Sequence, residues 1–149
     1  MYNESKTASA DIRGSSLYPG IHGSVDFKQT AEGVLVTADI YGLPCGKGCP
    51  FDVFAFHVHS GTSCSGNAAD PFADADGHYN PQNRQHPYHA GDLPPLFSND
   101  GHAFMTVLTE RFKVEDVIGH TVIIHKDPDD FTTQPAGNSG AKIACGKII

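Results

Sequence analysis

The chain carries histidines at the spacings that two neighbouring metal ions would need. Neutral imidazole is the commonest protein ligand for copper and zinc, and nine histidines are many for a chain of 149 residues. Six of them and one aspartate form the candidate ligand set, which is His57, His59, His78, His86, His89, Asp92 and His125. The other three, interpreted as surface or hydrogen-bonded residues, are His22, His102 and His120.

His57 and His59 lie two residues apart in a segment that predicts a β-strand. Alternate side chains of a strand point to the same face and lie about 7 Å apart along the backbone, so both rings can reach one ion. His125 ends the apolar run 121–124 and can approach them from a neighbouring strand. Three histidines with little sulfur suit copper or zinc, and an open position for chemistry would lie at this group.

The remaining candidate ligands fall within a single loop segment, and they are His78, His86, His89 and Asp92. Three nitrogens and one carboxylate oxygen match a closed tetrahedral zinc site, whose first role is to organise its loop. The surrounding segment 60–98 is long, rich in Gly, Pro, Asp and His, and has little strand pattern. A compact domain rarely keeps so long a loop unless something functional orders it, and metal ligation would supply that order.

Strand signals recur along the rest of the chain. Alternating or apolar strand patterns cover residues 21–27, 33–40, 53–59, 103–108, 121–124 and 142–149. Turn signals separate them at 30–33 and 99–101, and 114–117 predicts one short helical turn. Strands at these spacings favour an all-β antiparallel sandwich or barrel. We expect residues 1–9 to form a flexible lead-in and 10–149 to form a single domain.

Composition narrows the partners and the compartment. The net charge of −7 argues against a nucleic-acid partner, which would require a basic face. No stretch approaches the about 18 apolar residues of a membrane span. The start of the chain has no secretory apolar core, so the protein stays inside the cell or a signal has been removed. Four cysteines favour disulfides and an extracytoplasmic, oxidising compartment, with buried free thiols in the cytosol as the alternative.

At these residues the chain resembles the copper–zinc superoxide dismutase family, from about residue 12 to the end. The motifs that carry the resemblance are Phe56-His57-Val58-His59, Gly77-His78-Tyr79-Asn80-Pro81, His89-Ala90-Gly91-Asp92-Leu93, Val122-Ile123-Ile124-His125 and Gly137-Asn138-Ser139-Gly140-Ala141-Lys142-Ile143-Ala144-Cys145-Gly146. The loop 130–138 is shorter than in many eukaryotic members and lacks their charged steering residues, which is typical of bacterial-like members.

The resemblance implies an eight-stranded antiparallel Greek-key barrel, an immunoglobulin-like sandwich with long metal-binding and electrostatic loops. It implies a copper ion bound by His57, His59, His78 and His125, and a zinc ion bound by His78, His86, His89 and Asp92. His78 would then bridge the two ions. The resemblance also implies that Asp129 links the ring of His57 to the ring of His86, and such partners fix ring tautomer and orientation.

The resemblance also pairs Cys64 with Cys145, in a disulfide that ties the metal loop to the last strand. Closing so long a loop stabilises a fold by about 2–5 kcal/mol. Cys45 and Cys49 lie outside the family's usual pattern. The run Cys45-Gly46-Lys47-Gly48-Cys49 favours a second, small disulfide loop, and the alternatives are two free thiols or an incidental soft-metal site.

The activity implied by the resemblance is dismutation of superoxide to oxygen and hydrogen peroxide, with His78 taking and delivering a proton. An anionic substrate and a net negative protein together require a local positive field. Lys142 stands where most members have an arginine, so the charge survives but the planar fork of donors does not. The alternative is a metal-binding module of the same fold with little or no turnover. Members of the family include dimers and monomers, and a homodimer is possible here.

Overall fold

The structure is a computed structural model that describes residues 5–46 and 50–149. Its strands, in chain order, are β1 (Thr7–Gly14), β2 (His22–Gln29), β3 (Val34–Tyr41), β4 (Phe51–Phe54), β5 (Phe56–His59), β6 (Leu96–Asn99), β7 (Ala103–Thr109), β8 (Thr121–His125) and β9 (Lys142–Lys147). One helical turn, α1 (Val114–Val117), matches the short turn predicted at that position. Among the described residues, no helix is long and apolar enough to cross a membrane.

The strands form two antiparallel sheets that enclose one core. Seven strands are ordered β5-β8-β9-β1-β2-β3-β7, and β4 pairs with β6. Only Ala55 separates β4 from β5, and its N–H donates to the Asp127 carbonyl at 3.0 Å. Counted as one kinked strand, β4 and β5 bring the total to eight. The prediction of an all-β antiparallel Greek-key barrel is therefore confirmed.

Strand alternation explains which side chains fill the core. In β3, Val34, Val36, Ala38 and Ile40 are fully buried, while the residues between them are half-buried. Burying each large aliphatic side chain contributes about 1.5–3 kcal/mol. The strand β5 differs, because all four of its residues are buried. It is covered on both faces, and this buries the rings of His57 and His59.

Two features of the fold differ from the expectations drawn from the sequence. β1 begins at Thr7 and pairs with β2 from Thr7↔Lys28 onward, so residues 7–9 belong to the sheet and not to a flexible lead-in. Its buried residues include Ala8 and Ala10, whose small side chains give only a weak apolar pattern. β6 was not predicted either, because four residues that follow Pro94 and Pro95 are too few to show a period.

The turn between β6 and β7 follows the chemistry predicted for residues 99–101. Asn99 and His102 exchange both backbone hydrogen bonds, at 2.7 and 3.0 Å. Between them Asp100 and Gly101 have φ values of 51° and 83°. A two-residue hairpin turn of this kind needs positive φ at both central positions, which Asp and Gly accept most readily.

A disulfide fastens the long loop to the barrel. Cys64 and Cys145 are joined across 81 residues of sequence, as the family resemblance implies. Their sulfurs lie in a small apolar cluster with Phe72, Ala75 and Ile123, beneath the loop. Cys45 is exposed. Its predicted partner, Cys49, lies outside the described residues.

Candidate metal centre

The barrel and the long loop meet at β5. Pairing of β5 with β8 places Phe56 opposite Ile124, and the N–H of His125 donates to the Ala55 carbonyl at 2.9 Å. The long loop covers β5, with isolated bridges from His57 to Asp92 and from His59 to His78. Residues that are far apart in sequence are therefore held around the same two strand histidines.

The first group of side chains gathers where β5 meets β8. Ligand-type atoms of four histidines lie within 4.8 Å of one another, and these residues are His57, His59, His78 and His125. The Nδ1–H of His59 donates to the Asp76 carbonyl at 2.7 Å, and that of His125 donates to the Gly140 carbonyl at 3.2 Å. In the neutral rings each Nε2 then carries a lone pair. These two Nε2 atoms face each other at 3.2 Å, which favours a cation between them.

The second group gathers in the loop. Ligand-type atoms of His57, His78, His86 and Asp92 lie within 4.8 Å of one another. His86 Nδ1 is 3.0 Å from Asp92 Oδ2, but it has no aligned hydrogen-bond partner. His89 Nδ1 converges on the same place, 3.3 Å from Asp92 Oδ2 and 3.2 Å from His78 Nδ1. His89 therefore adds a third loop nitrogen to those of His78 and His86.

His78 faces both groups with opposite edges of one ring. Its Nδ1 lies 2.8 Å from Asp92 Oδ1 on the loop side. Its Nε2 is buried and has no hydrogen-bond partner on the side of β5. The ring centroid is 3.9 Å from that of His57 and 5.2 Å from that of His89. His78 therefore presents a different ring nitrogen to each of the two groups of donors.

Asp129 lies behind both groups and connects them. The Nε2–H of His57 donates to Asp129 Oδ2 at 2.8 Å, and the Nε2–H of His86 donates to Asp129 Oδ1 at 2.8 Å. These bonds leave Nδ1 of each ring as the acceptor, and both Nδ1 atoms are buried without a partner. A buried acceptor with no donor costs about 1–3 kcal/mol. A metal ion at each of these atoms would remove that cost, so the donor set fits metal ligation.

The backbone at Gly137 leaves room for Asp129. Gly137 has a φ of 70°, and a Cβ added there would lie 2.0 Å from Asp129 Oδ1 and 2.7 Å from His86 Nε2. Positive φ and the absence of a side chain are both required at this position. The glycine therefore permits the link between the loop ring and its carboxylate.

Burial keeps these imidazoles neutral, which is the form that binds metal. Burial is the main reason that the pKa of His57 is lowered to about 4 and that of His125 to about 3. Burial likewise holds the pKa of His59 well below 6.5. Burial alone would raise the pKa of Asp129, but hydrogen bonds from His57 and His86 outweigh it and lower that pKa. Asp129 is therefore ionised.

We expect the metal-free protein to lose stability as the pH falls below 6.5, the ordinary pKa of histidine. In the unfolded chain these rings take up protons near that pH, whereas in the fold His57 and His125 do so only near 4 and 3. Between these limits the unfolded state binds more protons, so the free energy of unfolding decreases with falling pH. Thermal unfolding of the metal-free protein between about pH 7.5 and about pH 4 measures this. A flat profile would contradict it, and His125→Ala should reduce the slope.

Several residues that support the centre carry no signal in the sequence. The side-chain amide of Gln134 brackets the backbone of His86, accepting from its N–H at 2.8 Å and donating to its carbonyl at 2.7 Å. One guanidinium nitrogen of Arg111 donates to the carbonyls of Pro87, His89 and Asp92 at 2.8, 3.2 and 3.3 Å. These contacts fix the loop through its backbone, which no motif records.

The histidines interpreted as ordinary lie outside both groups. His102 Nε2 donates to Asp39 Oδ1 at 2.7 Å, and His120 donates to the Ser60 carbonyl at 2.7 Å. His22 donates to the Gly20 carbonyl at 2.9 Å. Each of the three has a local partner of its own.

A cleft of about 590 Å³ leads to the first group. Its lining includes His59, His78, His125 and Lys142. Lys142 opens β9 directly opposite His125 on β8, at a register shift in the pairing of the two strands. Lys142, which was predicted from the sequence to attract anions, thus lies at the entrance to the buried rings. The β-barrel gathers six imidazoles and one carboxylate beneath an open cleft. These features are typical of metalloproteins that hold two adjacent ions.

Comparisons with known proteins agree with this class. The model of the family described as copper/zinc superoxide dismutase (SODC) matches residues 21–148. A Cu-Zn superoxide dismutase of Legionella pneumophila is 38% identical over 134 residues, covering 85% of this chain and 76% of that protein. Cu-Zn superoxide dismutase 2 of Aquifex aeolicus (strain VF5) is 33% identical over 141 residues, covering 85% and 78%. The chain belongs to the copper/zinc superoxide dismutase family.

A solved structure shows the same relationship in three dimensions. The Cu/Zn superoxide dismutase from Brucella abortus superposes with a TM-score of 0.80 at 28% sequence identity. The match covers 95% of this chain and 99% of that one. The resemblance identified from the motifs is confirmed.

Proposed function

We propose that the chain is a superoxide dismutase that uses both groups of donors at once. Copper would be held by His57, His59, His78 and His125, and zinc by His78, His86, His89 and Asp92. The observation that carries this proposal is His78, whose two ring nitrogens face different groups and whose Nε2 is buried without a partner. A structural imidazole would have a hydrogen-bond partner there.

The overall reaction converts two superoxide anions and two protons into one O₂ and one H₂O₂. Bound copper would supply the one-electron exchange, and bound zinc would supply a fixed positive charge that supports the shared ring. His78 Nε2 is the atom at which this chain can hold a proton and pass it to peroxide. Its ring lines the cleft, so product oxygen atoms can reach it. Asp92 and the Asp129 links keep the surrounding rings oriented while that proton moves.

Metal content and turnover together test the proposal. Elemental analysis of protein purified without added metal should show copper and zinc, and loaded protein should remove superoxide rapidly. Both metals without turnover would instead support the metal-binding module. Neither metal, even after loading, would contradict both. His102→Ala is the control for histidine removal, because His102 contacts Asp39 and lies outside both groups.

We expect Lys142→Arg to increase kcat/KM for superoxide. Arginine keeps the positive charge and adds a planar fork of donors that is better placed to hold a diatomic anion. An increase of about two- to tenfold is expected from improved capture. Rates measured at low and moderate ionic strength, with metal content matched to the original protein, provide the check. An unchanged or lower rate would remove any role for the fork.

A second copy of this chain is the partner we propose for the β4–β6 face. Phe51 and Phe97 are 63% and 66% exposed, and the pairing of Val53 with Phe97 places all three on one face of the small sheet. Exposed aromatic residues grouped in this way are typical of interfaces between proteins. Light scattering should give a dimer mass that Phe97→Glu reduces to that of a monomer. A monomer at all concentrations would contradict this.

The compartment that we propose is extracytoplasmic. The family to which the chain belongs acts on superoxide. The Cys64–Cys145 disulfide suits an oxidising environment. Fractionation of cells that produce the natural protein, with a cytosolic enzyme as marker, would test this. Recovery with the marker would contradict it.

A further inference from the structure

The cleft above the candidate copper group contains an ion pair that the reaction does not require. Among the described residues lining the cleft, Lys142 is the only Lys or Arg, and it is accompanied by the carboxylates of Asp70 and Asp76. Lys142 Nζ donates to Asp70 Oδ2 at 2.9 Å and to the Phe72 carbonyl at 3.4 Å. The ammonium group is therefore already engaged by two oxygen atoms.

The position of Asp70 is set by its own loop. The Phe72 N–H donates to Asp70 Oδ1 at 3.0 Å, and the Asp70 N–H donates to the side chain of Asn67 at 2.9 Å. One carboxylate oxygen of Asp70 is thus fixed by its own loop, and the other accepts the hydrogen bond from Lys142. Burial alone would raise the pKa of Asp70, but the hydrogen bonds from Lys142 and the Phe72 N–H, together with the charge of Lys142, outweigh it and lower that pKa.

Exposure shows which member of the pair faces the solvent. The Lys142 side chain is 17% exposed and that of Asp70 is 40% exposed. An approaching anion thus meets the carboxylate at least as readily as the ammonium. A paired positive and negative charge attract a distant anion far less than an isolated positive charge does, because their fields largely cancel.

We propose that Asp70 masks the charge of Lys142 at the entrance to the metal centre and thereby limits the capture of small anions. Asp70 is a positioning residue, which acts on the substrate through Lys142. This inference rests on the proposed function for its substrate, superoxide. The masking itself applies to any small anion that enters the same cleft.

Asp70→Asn tests the inference, because asparagine keeps a side-chain oxygen for Lys142 but loses the negative charge. The matched control is Asp74→Asn, which removes the same charge from the same loop. Asp74 is exposed and hydrogen-bonds Ser65, and it does not line the cleft. We expect Asp70→Asn to raise kcat/KM for superoxide about threefold or more at low ionic strength, and Asp74→Asn to leave it nearly unchanged.

A second readout does not depend on turnover. Binding of azide, a small anion, is followed by visible absorption of the copper- and zinc-loaded protein. Asp70→Asn should tighten azide binding about threefold. The same substitution in a Lys142→Gln background should have a smaller effect, because no ammonium group is then released from its bond to Asp70 to contact the anion. Equal effects in both backgrounds would show that Asp70 acts on its own charge and would overturn the inference.

The outcomes separate this inference from the proposed function. If the loaded original protein does not remove superoxide, the proposed function fails, while azide binding still reports on the masking. If it removes superoxide but neither rate nor azide affinity changes in Asp70→Asn, only the masking fails. A change of similar size in Asp74→Asn would also overturn it, because net charge alone would then explain the result.

Discussion

Replacement of His125 with alanine is expected to abolish superoxide turnover while zinc stays bound. His125 is buried, and its Nε2 lies 3.2 Å from the Nε2 of His59 in the group assigned to copper. It is absent from the loop group around Asp92. Losing one of four ligands opens the first site, whereas the donors of the second remain in place. Turnover should fall by about 10²-fold or more, which corresponds to loss of about 3 kcal/mol of transition-state stabilisation.

Elemental analysis and a superoxide assay on the same preparation measure this result. Zinc should remain near the level of the original protein, and copper should be lost on dialysis against a mild chelator. His102→Ala, with its ring on the surface beside Asp39, should keep both metals and full turnover. Full activity in His125→Ala would refute the copper assignment, and loss of zinc would refute the independence of the second group.

Asp129→Ala is expected to weaken binding of both metals. Asp129 is the acceptor for Nε2–H of both His57 and His86, and all three side chains are buried. Alanine leaves two buried N–H donors without partners and frees both rings to turn. Removal of a carboxylate behind a ligating histidine costs about 10- to 100-fold in metal affinity. Here the same carboxylate stands behind one ligand of each group, so both affinities should fall.

Competition with chelators of known affinity measures each metal separately. Asp130→Ala is the matched control, because Asp130 is the adjacent carboxylate and is exposed. Among the described residues, its side chain accepts hydrogen bonds only from Thr132 and Thr133 in its own turn. That variant should keep both affinities. A loss confined to one metal in Asp129→Ala would show that the carboxylate supports only one ring, and no loss at all would remove its role.

Strand pattern predicted the part of the centre that lies on regular structure. His57 and His59 share a strand, alternate side chains share a face, and their ring centroids lie 6.3 Å apart, close to the strand repeat. The position of His125 followed from its place at the end of an apolar run. These inferences worked because a strand has one dominant period, which the sequence displays directly.

The loop side of the centre depended on spacing and on the family resemblance. No period relates His86 to Asp129, and their hydrogen bond depends on loop turns such as the positive φ at Gly137. The contacts of Gln134, Arg111 and Asp70 could not be predicted. Each joins residues that are 19 to 72 positions apart through a backbone carbonyl or a single ion pair. β1 was not predicted, for a related reason: its alanines give little contrast against serine and threonine.

The shared positions of His78 and Asp129 have a thermodynamic consequence. Filling either site orients a ring or a carboxylate that the other site also uses, so occupancy of one should strengthen the other. Linkage makes this cooperativity reciprocal: the factor by which zinc raises copper affinity equals the factor by which copper raises zinc affinity. Coupling free energies of this kind are typically about 1–3 kcal/mol. Calorimetric titrations with zinc added first and with copper added first should therefore give the same total binding free energy.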